Sequence, residues 1–196
     1  HRDQSKVRIP QNTTGLVAGF TAENAFRFLG GHYRSSYRPL NNAIIEGRIR
    51  GLAGVVGCNN PNVCQDQAHL TMTRELIKHD VLVVQTGCAA IACAKDGLLA
   101  PEGAALAGPG LREICETVGI PPVLHLGACV DNSRILVALC NVLNEGGLGE
   151  DLSDIPVAGA APEWMSEKAI SIGFYVVASG IYTVFGTPHP VMGAPN

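Results

Sequence analysis

The sequence contains little charge and no tract of basic residues. Only 16% of its 196 residues are charged, and 14 Lys and Arg stand against 17 Asp and Glu, for a formal net charge of -3. Nucleic acids and anionic membrane surfaces are recognised through clustered positive charge, so the sequence argues against both as partners. We expect a small partner instead, with no nucleic acid and no membrane span.

The polar bias of a disordered chain is also missing. Hydrophobic residues make up 46% of the sequence, which is enough to bury a sizeable core at this length. A chain of this length is short for two domains of typical size. We therefore predict one domain over residues 1–196.

No Cys-x-x-Cys pair is present, although the chain has seven cysteines. Zinc ribbons and fingers use such close pairs, so a structural zinc site is disfavoured. An odd number of cysteines in a Gly-rich chain also argues against a secreted disulfide framework. We expect reduced thiols or metal ligands in a reducing compartment, the cytoplasm.

The first residue is not an initiator methionine, and neither a positive region nor a cleavage site of a signal peptide follows it. We expect a piece of a longer polypeptide. Residues 169–196 carry no Asp, Glu, Lys or Arg and reach the length of a membrane span, but Gly, Ser and Pro interrupt them. We interpret this segment as a helix end followed by a buried strand at 174–179.

Short, continuous apolar runs alternate with segments of helical periodicity. Such runs are typical of strands covered on both faces, as in a parallel sheet. The predicted strands lie at 52–57, 81–86, 122–127, 155–160 and 174–179, and the predicted helices at 40–48, 65–80, 112–119 and 132–146, with another starting near Pro162. GPGLRE at 108–113 is interpreted as a turn that starts a helix. The pattern predicts an α/β fold, a Rossmann-like doubly wound, mainly parallel sheet with helices on both faces.

Three cysteines follow three different predicted strands within about three residues of the strand end: Cys58, Cys88 and Cys129. In a parallel sheet these ends line one crevice, so we expect the thiols to converge there. A glycine precedes each cysteine by one or two positions, which would let the backbone approach a bulky inorganic group and leave amide N–H groups free to point at sulfur; these are Gly57, Gly87 and Gly127.

A single free cysteine is more often a small core hydrophobe, but three at equivalent positions favour a metal or cluster. Thiolates on separate strands suit an iron-sulfur type cluster, with further ligands from elsewhere. The other four cysteines lie in predicted helical segments and are interpreted as core thiols, Cys93 with the least certainty because it could share a helix face with Cys88; they are Cys64, Cys93, Cys115 and Cys140.

Lys168 follows the predicted strand at 155–160 and should project near the same crevice. A lysine there could move protons or hold an anion, although its position alone favours an ordinary surface lysine. Lys95 has the same ambiguity. The histidines lack metal spacing to one another, and His125 is interpreted as a core residue.

Four segments, in this order, closely resemble the nickel-iron carbon monoxide dehydrogenases of anaerobic bacteria and archaea, relatives of the hybrid-cluster (prismane) proteins. They are GVVGCNNP at 54–61, RELIKHDVLVVQTGCAAIACAKDGLL at 74–99, GIPPVLHLGACVDNSRIL at 119–136 and AGAAPEWMSEKAISIG at 158–173. The resemblance implies the C-terminal Rossmann-like domain of the catalytic subunit. It implies an oxidoreductase that converts CO and water to CO2, two protons and two electrons, and also runs in reverse.

The resemblance further implies that Cys58, Cys88 and Cys129 are ligands of a nickel-iron-sulfur centre, the C-cluster. It implies an acid-base role for Lys168 and places Ile172 in the substrate pocket. The remaining ligands, a His and further Cys of a middle domain, have no counterpart in this sequence, and neither do the cysteines that hold the family's [4Fe-4S] clusters. A homodimer and a ferredoxin-like electron carrier are also implied.

Two alternatives stay open at this point. One is a hybrid-cluster protein of the hydroxylamine reductase type, whose iron-sulfur-oxygen cluster contains no nickel. The other is a non-catalytic α/β domain whose thiols are only packed.

Overall fold

A parallel sheet forms the centre of the molecule. The computed structural model describes residues 3–29 and 36–187. Its five strands pair in the order β3-β2-β1-β4-β5, with every pair parallel. The strands are β1 Gly51–Val55, β2 Val81–Thr86, β3 Val123–Gly127, β4 Val157–Ala161 and β5 Tyr182–Phe185. This is the doubly wound order, reversing between β1 and β4, and it confirms the predicted fold class.

Helices connect and flank the strands. They are α1 Ala22–Leu29, α2 Arg38–Ile45, α3 Gln67–Lys78, α4 Gly87–Lys95, α5 Pro109–Val118, α6 Asn132–Glu145 and α7 Glu167–Ala178. Crossovers between parallel strands are right-handed. The sheet grows from β1 through β2 to β3 on one side, and from β1 through β4 to β5 on the other side. Helices α3 and α4 therefore lie on one face of the sheet, and α6 and α7 lie on the opposite face. Accordingly α3 packs on β1 and β2, and α7 on β4 and β5.

The continuous apolar runs form strands because both faces of the sheet are covered. Every residue of β1 is buried, and Val55, Val83 and Val123 are completely inaccessible. Burying a side chain of this size contributes roughly 1.5–3 kcal/mol. Four of the five predicted strands are confirmed.

The turn at 108–113 starts a helix as predicted. Pro109 occupies the first position of α5, where its missing N–H costs nothing. Asp80 Oδ1 accepts a hydrogen bond from the Leu111 backbone N–H at 2.9 Å. A protein carboxylate therefore occupies the N-terminus of α5.

The predicted strand at 174–179 is wrong, because these residues are the last turns of α7. The strand that follows is β5, beyond Gly180, whose φ of +81° lets the chain leave the helix. A short apolar run does not distinguish a strand from a helix by its periodicity. Phe174 and Tyr175 are 54% and 60% exposed, so the run is not a buried core element.

Among the residues that the structure describes, no helix combines the length and the hydropathy needed to cross a membrane. The last nine residues of the uncharged segment, 188–196, lie outside the described part of the chain.

Candidate functional site

A cavity of about 420 Å³ lies between the sheet and helices α6 and α7, beside the ends of β1 and β4. Cys58, Cys129, Lys168 and Ile172 all line it. The fold thus brings together two of the three predicted thiols, the predicted lysine and the predicted pocket residue. Much of the remaining lining is apolar, which favours exclusion of water from the interior.

The third thiol, Cys88, is the second residue of α4 and is not part of the cavity lining. Its neighbour Gly87 nevertheless touches the turn that carries Cys129. A Cβ on Gly87 would lie 3.1 Å from Cys129 Cβ. The two thiol-bearing loops are therefore adjacent.

The three thiols do not converge on one point. Within residues 3–29 and 36–187, no three Cys, His, Asp or Glu side chains are grouped closely enough to hold a single metal ion. The thiols are free, with Cys58 and Cys88 half-buried and Cys129 exposed. Soft thiolate ligands offered from three separate loops fit one side of a metal-sulfur cluster, which is larger than a single ion.

The backbone of Cys58 is fixed on both sides. Its N–H donates to the Glu163 carbonyl at 2.9 Å, and its own carbonyl accepts from His69 Nε2 at 2.7 Å. The expectation of a free amide pointing at sulfur is therefore wrong for Cys58, since this N–H already has a protein acceptor.

The glycines before Cys58 and Cys129 serve close contacts within the protein. Gly57 has a φ of +136°, and a Cβ there would lie 2.1 Å from the Glu163 carbonyl oxygen. Gly127 has a φ of +146°, and its Cβ would lie 2.5 Å from Asp131 Oδ2. Contacts within the protein are enough to require glycine at both positions, and the expected close approach of the backbone to an inorganic group stays a prediction.

Asp131 holds the Cys129 turn. Its Oδ2 accepts from the Ala128 N–H at 2.8 Å, and its Oδ1 accepts from Arg134 Nε at 2.9 Å. The Thr86 hydroxyl bonds to the Asn132 side-chain oxygen. That bond joins the end of β2, just before Cys88, to the start of α6, just after Cys129.

Lys95 has a structural partner. It forms an ion pair with Asp66, which also accepts a hydrogen bond from Asn59 Nδ2 at 2.9 Å. Burial alone would raise the pKa of Asp66, but the bonds from Lys95 and Asn59 and the charge of Lys95 outweigh it and lower that pKa. The network links the loop after Cys58 to the end of α4, whose first turn contains Cys88.

Lys168 is the second residue of α7 and is exposed. It forms no ion pair with the residues that the structure describes. Its ammonium group therefore places an uncompensated positive charge at the rim of an otherwise apolar cavity.

The prediction of four core thiols is half right. Cys93 and Cys115 are buried, and burial raises the pKa of both, that of Cys115 to about 12. Cys64 and Cys140 are exposed, so they are not core thiols. Cys64 lies in the loop before α3 rather than in a helix, and Cys140 lies on the outer side of α6.

The sequence model of the Prismane/CO dehydrogenase family matches residues 1–196. The chain belongs to this family. Carbon monoxide dehydrogenase 1 of Methanosarcina acetivorans is 56% identical over 194 residues, which cover 99% of this chain and 30% of that protein. The carbon monoxide dehydrogenase of Rhodospirillum rubrum is 39% identical over 203 residues, 98% of this chain and 32% of that protein.

Solved structures of the same family share the fold. A nickel-free carbon monoxide dehydrogenase from Thermococcus sp. AM4 matches 98% of this chain with a TM-score of 0.90 and 52% identity. Carbon monoxide dehydrogenase IV of Carboxydothermus hydrogenoformans matches 98% with a TM-score of 0.91 and 43% identity. This chain covers 30% and 32% of those two chains, so it is similar to less than a third of each.

Two residues that bond to the Cys58 backbone, His69 and Glu163, were not expected from the sequence. His69, Thr73 and Ile77 are the buried positions of α3, spaced by four residues, so helical periodicity could have shown that His69 faces the core. Glu163 gave no such signal, because it lies in the loop before α7, where no periodicity marks a buried position; it is fully buried.

Proposed function

We propose that this chain is the cluster-binding domain of a carbon monoxide dehydrogenase that catalyses CO + H2O to CO2 + 2H+ + 2e-, and its reverse. The observation that carries the proposal is the shared cavity of Cys58, Cys129 and Lys168, with the Cys88 loop directly beside it. The family membership and the names of the relatives support it. Because the chain spans 30% of that relative, the activity is proposed for a longer polypeptide.

In this proposal Cys58, Cys88 and Cys129 hold one side of a nickel-iron-sulfur cluster as thiolates. When bound, such a cluster supplies metal sites for CO and water and accepts the two electrons. The middle part of the longer protein provides its remaining ligands. The three thiols are free, one exposed and two half-buried, so in a reducing compartment they are available for this ligation.

Lys168 provides the acid-base and electrostatic function. Its Nζ holds or releases a proton at the rim of the cavity, and its positive charge stabilises negative charge that develops on substrate oxygen. Ile172 and the apolar lining exclude bulk water, which strengthens that charge interaction.

The finer features of the proposal concern the whole protein. We infer a homodimer in the cytoplasm, [4Fe-4S] clusters held by parts of the polypeptide outside this chain, and a ferredoxin-like acceptor for the electrons. The substrates are CO, CO2 and water.

Metal analysis of the longer protein, purified without oxygen, tests the proposal. Nickel with several irons and CO-dependent reduction of a viologen dye are the expected results. Iron without nickel would point to a hybrid-cluster protein instead. The absence of both metals would mean a non-catalytic domain, and the proposal would be wrong.

A further inference from the structure

His69 lies in the first turn of α3 and is completely inaccessible to solvent. A buried imidazole has a desolvation cost unless its nitrogens are bonded, and among the described residues Nδ1 of His69 has no partner. Its Nε2 lies 2.7 Å from the Cys58 carbonyl oxygen. Because a carbonyl only accepts hydrogen bonds, Nε2 carries the proton and donates it to Cys58.

Three contacts connect His69 and its neighbour in the chain to the loop around Cys58. The ring fills the space beside Gly57, since a Cβ there would lie 3.2 Å from His69 Cε1. The residue before it, Ala68, donates its N–H to the Glu163 carboxylate at 3.2 Å. Glu163 in turn accepts the Cys58 N–H through its backbone carbonyl. The start of α3 therefore bonds to the Cys58 carbonyl, and the loop around Glu163 bonds to the Cys58 N–H.

This arrangement leaves the thiol as the free polar group of Cys58. Both backbone groups are bonded, one to His69 and one to Glu163, so the backbone that directs the side chain is restrained. Any buried acceptor would satisfy the imidazole N–H; because the acceptor here is the Cys58 carbonyl, the ring is coupled to the backbone of that residue.

We infer that His69 is a positioning residue, which orients Cys58 for cluster ligation through the hydrogen bond from Nε2 to the Cys58 carbonyl. The inference rests on the proposed function, because it assumes that Cys58 is a cluster ligand. Groups that orient metal ligands from behind typically change metal affinity by about 10- to 100-fold when they are replaced.

Three substitutions at this position, made in the longer protein, separate orientation from packing. His69→Leu removes the donor while keeping an apolar side chain of similar size. His69→Asn keeps a polar group, but its side chain is too short to reach the Cys58 carbonyl. If the leucine variant does not fold, the asparagine variant takes its place in the comparison. His69→Gln places an amide nitrogen at the distance of Nε2 and should act as the rescue.

Thr73→Val is the matched control. Thr73 is buried one turn further along the same helix, and its hydroxyl accepts a hydrogen bond from Gln85 Nε2 at 3.0 Å. The control thus loses a buried hydrogen bond of α3 that does not involve Cys58.

The measurements are the rate at which nickel is lost to a chelator and the electron paramagnetic resonance spectrum of the nickel cluster, both under anaerobic conditions. We expect the Leu and Asn variants to lose nickel about 10- to 100-fold faster, or to be purified without it, with an altered spectrum. The Gln variant and Thr73→Val should resemble the wild type.

Wild-type nickel retention and spectrum in the Leu and Asn variants would overturn the inference while leaving the proposed function intact. The same holds if Thr73→Val changes both readouts equally. A wild-type protein without any nickel-containing cluster would show that the proposed function is wrong, and the inference with it.

Discussion

Replacing Gly57 by alanine should destabilise the fold far more than an ordinary glycine substitution. The new Cβ would lie 2.1 Å from the Glu163 carbonyl oxygen, a backbone atom that cannot rotate away. The alanine would also have to adopt a backbone φ of +136°, which costs a non-glycine residue about 1–3 kcal/mol. Overpacking adds roughly 1–3 kcal/mol. Together we expect a loss of about 2–6 kcal/mol in the free energy of unfolding.

Gly119→Ala is the matched control for backbone strain. Gly119 ends α5 with a φ of +77°, and nothing lies within 4 Å of its Cβ position. Only the left-handed conformation is penalised there, at about 1–2 kcal/mol. The difference between the two variants therefore reports the close contacts of a Gly57 Cβ, above all the contact with the Glu163 carbonyl and next the one with the His69 ring.

Urea unfolding of the 196-residue chain and of both variants, monitored by circular dichroism, measures these free energies. The reasoning is refuted if Gly57→Ala is no more destabilising than Gly119→Ala. That result would mean that the Glu163 loop moves aside at little cost, and that Cys58 is not rigidly held by it.

Three further predictions concern the site. Lys168→Ala in the longer protein should lower the rate of CO oxidation by about 100- to 10,000-fold while the metal content stays near normal. Lys78 is an exposed lysine of α3, and Lys78→Ala should leave the rate unchanged. Loss of nickel and iron in the Lys168 variant would contradict its role outside the ligand set. Cys129→Ala should lose metal whereas Cys140→Ala, also an exposed thiol, should retain it, and normal cluster content in the first would remove Cys129 from the ligands. Asp66→Asn should destabilise the chain at neutral pH. Because the pKa of Asp66 is lowered in the folded protein, its contribution to stability is present above the ordinary pKa of an aspartate and disappears as the pH falls through the lower, folded-state pKa. Unfolding measurements should therefore show the stabilities of the two proteins converging in acid, and a constant difference at all pH values would contradict this.

Much of the fold could be predicted from the sequence because a parallel sheet buried on both faces leaves a distinct pattern of apolar runs. The same pattern misled at 174–179, where the apolar run belongs to α7. A helix that leaves Phe174 and Tyr175 exposed looks, in sequence, like a buried strand. Gly180 was the local signal that the helix ended there.

The site was predictable as far as topology determines it. Cysteines placed just after parallel strands must lie at one edge of the sheet, so Cys58, Cys129 and Lys168 could be expected near one another. The support for Cys58 could not be expected, because Glu163 reaches it across 105 positions of the chain through a loop conformation that no local pattern encodes. The glycines are visible in the sequence, but the protein atoms that occupy the Cβ positions of Gly57 and Gly127 are not.

The hydrogen bond from Cys58 to Glu163 has a consequence for the order of events during biosynthesis. Cys58 emerges from the ribosome long before Glu163, and the acceptor of its N–H belongs to the segment that follows β4, the strand that pairs with β1. Contacts so distant in sequence form late, since the intervening chain must first be ordered. The backbone of Cys58 thus takes its final form only once the chain as far as Glu163 has folded; under the proposed function, a metal centre would be inserted into a folded domain instead of nucleating it.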